Sequence, residues 1–161
     1  MQISKAMADL LNAQVGNELG ASNQYLQIAS YFDGESLSKL AKFFYAQSEE
    51  EREHAMKFVH FLMDVGAELS IADIPATKTD VGTAENAFVM SLDWEKEVTS
   101  QINAMVDLAI QEKDYASQAF LQWFVTEQVE EVSTMESMLD VVRKAGEKNI
   151  LMVEAYLTHR E

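Results

Sequence analysis

Cysteine is absent from this 161-residue chain, proline occurs once, and basic residues are outnumbered by acidic ones, 12 to 27. Each shortage excludes something. Without cysteine there are no disulfides and no thiolate ligands, which argues against iron–sulfur or copper(I) chemistry. With one proline and six glycines, few positions can stop a helix, and the mix favours a few long helices over many short strands. A formal charge of -15 would repel the phosphates of a nucleic acid, so no nucleic-acid partner is expected, whereas cations would be attracted. No apolar run is long enough to span a membrane, and the opening stretch MQISKAMADLLN lacks an apolar signal core. The expectation is a cytoplasmic protein with no membrane partner.

Helical periodicity is what the chain has in abundance. Segment A covers about 4–33 and segment B about 36–65, with Ser36 as its expected N-cap. Residues 66–82 lose the period and hold Pro75, so they read as a long connection. Segment C follows over about 83–112, segment D over about 114–145, and a short segment E over about 149–158. Short A–B and C–D links make antiparallel hairpins, and the long B–C connection can cross the length of a bundle. The expected fold is all-α: a single domain over 1–161, an antiparallel four-helix bundle with one long B–C crossover and a short fifth C-terminal helix.

Alternating steps of four and three residues trace the face that each segment buries. Segment A gives Met7, Leu11, Gln14, Glu18, Ala21, Tyr25, Ile28 and Phe32, and segment B gives Leu40, Phe44, Gln47, Glu51, His54, Phe58, Phe61 and Val65. Segment C gives Phe88, Ser91, Glu95, Val98, Ile102, Met105 and Ala109, and segment D gives Leu121, Phe124, Gln128, Glu131, Met135, Met138 and Val142. Every seam is apolar at its ends and acidic in the middle. In antiparallel packing the mid-points meet at one level, so Glu18, Glu51, Glu95 and Glu131 would share one dry cross-section with His54. Burying an unpaired ion costs several kcal/mol, and like charges add to that cost. No lysine or arginine falls on a seam, and Arg52 faces outward, about 100° around the helix from Glu51. A metal is the economical counter-charge. Carboxylates with one imidazole favour iron, manganese or zinc, and Glu51 with His54 at i and i+3 can reach one ion. A bridging Glu51 leaves room for two.

A Glu from each of two helices beside Glu-x-x-His is a recurring way to hold two metals in a bundle. With NELGASNQY at 17–25, SEEEREH at 48–54 and FLQWFVTEQVEE at 120–131, the chain resembles a prokaryotic non-haem ferritin of the ferritin-like diiron carboxylate superfamily. The resemblance implies a ferroxidase that oxidises Fe(II) with O2 or H2O2. It also implies a homo-oligomer, a cage of twenty-four subunits around a ferric mineral. It assigns Glu18, Glu51 and His54 to a first iron, and Glu51, Glu95, Glu131 and Gln128 to a second. Glu50, Glu127 and Glu130 would form a third, outer iron site, and Tyr25 would hydrogen-bond a ligand or donate an electron. Where bacterioferritins carry Glu-x-x-His and a haem-ligating Met, this chain has Gln128-x-x-Glu131 and Arg52, so no haem is expected. The alternative is a bacterioferritin-like or rubrerythrin-like diiron oxidase or peroxidase without bulk storage.

Overall fold

In the computed structural model, residues 3–160 are described, so the first two residues and the last of the expected 1–161 domain lie outside the described residues. The elements are α1 (Lys5–Gly34), α2 (Ser38–Asp64), α3 (Ala84–Glu112), α4 (Tyr115–Ala145), a 3-10 turn (Glu147–Asn149) and α5 (Ile150–Arg160). No strand occurs among the described residues. The four long helices form two antiparallel hairpins, α1–α2 and α3–α4, that pack into one bundle.

Local chemistry fixes most helix ends. Ser4, Thr83 and Asp114 accept hydrogen bonds from the backbone N–H groups of Met7, Asn86 and Ser117, satisfying donors that the first turn leaves unpaired. Three helices stop in the same way. After α1, Ser36 N–H donates to Asp33 and Leu37 N–H reaches back to Phe32. Gly66 and Ala67 repeat the pattern after α2, as do Lys113 and Asp114 after α3. The expected N-cap role of Ser36 is therefore incorrect. At φ 60 it is the left-handed residue that follows the C-cap Glu35, two residues beyond Gly34.

α2 has no side-chain cap of its own. Its donors are taken from far away in sequence: Glu154 on α5 accepts from Lys39 N–H and Leu40 N–H, both at 2.9 Å. A carboxylate also complements the positive end of the helix dipole. α5 is thereby tied to the end of the bundle, where it buries Val153 and Leu157.

The crossover runs along the outer face of α1, held by polar side chains that act as backbone partners. Asn12 accepts from Ser70 N–H and donates to Glu68 C=O, and Gln24 does the same for Lys78 alone. Tyr31 donates to Gly82 C=O near the end of the run. A loop this long stays ordered because its peptide groups find such partners.

Two apolar clusters fill the bundle. One contains Ile28, Phe32, Phe44, Phe88 and Met138, the other Leu11, Phe58, Ile102, Leu121 and Phe124. The expected seam holds with one exception. Phe61 is only partly buried and stacks on Phe120 with ring centroids 4.1 Å apart, while Leu62 takes the core position. A straight helix at 3.6 residues per turn does not follow a strict alternation of four and three, and here the step from Phe58 is four, to Leu62, before Val65 returns to the seam.

The cap supplied by α5 makes a specific prediction. Glu154→Ala should lower unfolding stability by about 1 kcal/mol, the usual cost of removing an N-cap acceptor. Thr158→Ala, on the same helix, should stay within about 0.5 kcal/mol of the unaltered chain. Urea unfolding of the two variants checks the difference.

Candidate metal centre

Between the two apolar clusters lies a layer of buried polar side chains, with Glu18, Glu51, His54, Glu95, Gln128 and Glu131 each 4% exposed or less. One comes from α1, two from α2, one from α3 and two from α4, because mid-helix positions of antiparallel helices meet at one height. No lysine or arginine is buried among the described residues.

The side chains gather into adjoining groups whose ligand atoms all lie within 4.8 Å of one another. Glu18, Glu51 and His54 form the first, and Glu51, Glu95 and Glu131 form the second, so Glu51 belongs to both. His54 Nδ1 lies 3.5 Å from Glu51 Oε2 and 4.0 Å from Glu18 Oε2. Its other nitrogen, Nε2, is 3.8 Å from Glu127 Oε1. A third group, Glu50, His54, Glu127 and Glu131, continues outward, with Glu50 and Glu127 half-buried. Glu130 is exposed and belongs to none of the groups.

Several groups hold these acids in place. Tyr25 donates its hydroxyl hydrogen to Glu95 Oε1. Gln128 Nε2 donates to Glu95 Oε2 at 3.2 Å and to the Glu95 carbonyl at 3.1 Å, so its nitrogen is spent on Glu95 and its oxygen is the atom that could meet a metal. Trp123 and Phe124 meet the His54 ring edge-on at 5.4 and 6.0 Å, and Lys57 Nζ sits 4.2 Å from the centre of the Trp123 ring. Nothing in the sequence distinguishes Trp123 from a packing residue; only its contact with His54 does.

Electrostatics shows what the layer lacks. Burial, followed by the neighbouring Glu51 carboxylate, pushes Glu18 well above its ordinary range, and burial does the same to Glu51. Glu95 is raised by burial against the lowering pull of Tyr25 and Gln128. Burial and the Glu95 charge lift Glu131 to about 8. Two oxygens, Glu18 Oε2 and Glu51 Oε1, are buried with no hydrogen-bond partner. Such atoms call for a proton or a cation between them. Hard oxygen donors with a single imidazole fit iron, manganese or zinc.

Comparison with known proteins decides the family. The family model for the ferritin-like domain matches residues 8–145. The chain belongs to the ferritin family. Ferritin BfrB of Mycolicibacterium smegmatis is 40% identical over 148 residues, covering 92% of this chain and 81% of that protein. The bacterial non-heme ferritin of Staphylococcus aureus is 37% identical over 145 residues, covering 90% and 87%. An open-pore ferritin from the archaeon Archaeoglobus fulgidus superposes with a TM-score of 0.94 at 33% identity, over 99% of this chain and 98% of that one.

The acids give this ferritin a pH signature. Without metal, the folded chain keeps a proton on Glu131 up to about pH 8, whereas the unfolded chain releases it near 4.5. A folded-state value above the unfolded one means that this contribution to stability is present below pH 4.5 and is lost as pH climbs to about 8. A divalent cation replaces those protons and binds more tightly as they leave. The gap in Tm between Zn(II)-saturated and metal-free protein should therefore widen from about pH 5 to about pH 8. A gap that stays constant across that range would contradict the assignment.

Proposed function

We propose that this ferritin oxidises Fe(II) to Fe(III) at an intrahelical two-iron centre, with dioxygen or hydrogen peroxide as oxidant. It stores the product as a ferric oxyhydroxide mineral inside a cage of its own copies. The observation that carries this reading is the pair of ligand groups joined through Glu51.

Charge balance supports two ions. Four ionised carboxylates carry four negative charges, and two Fe(II) ions carry four positive ones, so the loaded layer is neutral. Glu18, Glu51 and His54 hold the first ion, and Glu51, Glu95, Glu131 and the Gln128 oxygen hold the second. The bundle fixes their spacing, and the apolar clusters above and below exclude water. Tyr25 orients Glu95 and stands close enough to supply an electron.

Each Fe(II) gives up one electron. The two electrons and two protons convert dioxygen to hydrogen peroxide, or reduce peroxide to water. Oxidation adds two positive charges to a layer that was neutral, and hydroxide from water must balance them. That excess disfavours retention, and the acids of the neighbouring group, Glu50 and Glu127, offer the next stop outward. Glu130, one helical turn from Glu127 on α4 and exposed, would receive iron from them on the solvent side.

Haem has no part in this reading. In this reading the cage comprises twenty-four subunits and the compartment is the cytoplasm. No helix among the described residues is long and apolar enough to cross a membrane.

Aerobic addition of Fe(II) to the metal-free protein tests the proposal. Ferric absorbance should rise quickly for about two irons per chain, then more slowly while many more stay in solution. Glu51→Ala with His54→Ala should slow the first phase by at least about 100-fold, because the positioned ligands are gone. On gel filtration the protein should elute at several hundred kilodaltons. Uptake that ends at about two irons per chain, in a particle near the 18.1 kDa of one chain, would favour an oxidase or peroxidase without storage.

A further inference from the structure

Two buried glutamines stand outside every ligand group, and each is spent on one carboxylate. Gln14, one turn before Glu18 on α1, is 2% exposed and donates from Nε2 to Glu18 Oε1 at 2.9 Å. Gln47 on α2 is 7% exposed and donates from Nε2 to Glu131 Oε2 on α4 at 3.0 Å.

The orientation of Gln14 is set from outside the layer. Asn17 Nδ2 donates both to Gln14 Oε1, at 3.4 Å, and to Gln101 Oε1 on α3, at 3.1 Å. Gln101 Nε2 in turn donates to Glu97 Oε1 at 3.2 Å. With Asn17 donating to its oxygen, Gln14 presents its nitrogen to Glu18. Glu18 is thereby tied through Oε1, and its Oε2, which has no hydrogen-bond partner, lies 4.0 Å from His54 Nδ1.

We propose that Gln14 and Gln47 are positioning residues, each tuned to a different metal ion. Gln14 fixes Glu18 for the ion shared with Glu51 and His54, and Gln47 fixes Glu131 for the ion shared with Glu51 and Glu95. The inference rests on the two-ion reading above. A carboxylate tied at one oxygen cannot swing or chelate freely through both. It presents one directed oxygen, and hydrogen bonds behind a ligand in this way are typically worth about 10- to 100-fold in metal affinity. Because the two glutamines hold different acids, the losses should separate by ion.

Anaerobic titration with Co(II), followed by visible absorbance and calorimetry, reads this without turnover. The ion ligated by the His54 nitrogen should absorb differently from the ion held by oxygens alone, so the two can be told apart. The unaltered chain should take about two Co(II). Gln14→Met keeps the length and packing of the side chain but removes the donor. It should weaken the nitrogen-ligated ion about 10-fold or more and leave the other within about twofold. Gln47→Met should do the reverse. Asn17→Ala releases the Gln14 amide without touching a ligand and should weaken the same ion as Gln14→Met by about threefold, a check that survives if Gln14→Met fails to fold.

Unchanged affinities in both methionine variants, with two ions in the unaltered chain, would overturn the positioning role and leave the two-ion centre standing. Equal weakening of both ions in each variant would also overturn it, since that is what general loosening of the bundle produces. No bound Co(II) in the unaltered chain would overturn the two-ion reading and this inference together.

Discussion

Four carboxylates converge with one imidazole in a dry layer where, among the described residues, no lysine or arginine is buried, and the rest of the structure is arranged around that repulsion. Left ionised and unpaired they would oppose folding by several kcal/mol each. The metal-free chain meets this by holding protons to higher pH than free carboxylates do, the direction in which burial shifts Glu18, Glu51, Glu95 and Glu131. Cations are the other solution, and the two are linked: every proton held at rest is one that an arriving ion displaces. A layer that is costly to ionise alone and neutral with two divalent ions suits a protein that must take up metal and let it go.

The remaining fold serves that layer. Apolar clusters on either side keep it dry and supply the burial that stabilises the bundle, so the acids need not contribute to stability themselves. Helix caps, left-handed stops and the loop clamps of Asn12 and Gln24 fix the helices along their axes. Axial register matters here, since a shift of one turn, about 5.4 Å, would carry Glu51 out of reach of its partners. The membership of this chain in the ferritin family and the geometry of its layer thus point the same way.

Much of this was legible in the sequence because it depends on period. Steps of four and three place Glu18, Glu51, Glu95 and Glu131 on inward faces, and connection lengths dictate which helices are antiparallel. What escaped depends on contacts between distant residues. Nothing around Leu37 reveals that Glu154 caps α2. Ser36 resembles an N-cap by residue type, yet backbone geometry makes it a helix stop. Gln47 lies one turn before Glu51, which would suggest a partnership along the helix, but its amide crosses to Glu131. Acidic residues beside the seam look alike in sequence, and only side-chain placement separates Glu50 and Glu127 from exposed Glu130.

The central claim is that this layer is built for two cations on either side of Glu51. Crystals soaked anaerobically in Fe(II) and measured at the iron absorption edge test it most directly. The account predicts two anomalous peaks inside the bundle, one beside Glu18 and His54 and one beside Glu95 and Glu131, with Glu51 between them. Peaks confined to surface acids, with none inside the bundle, would contradict it.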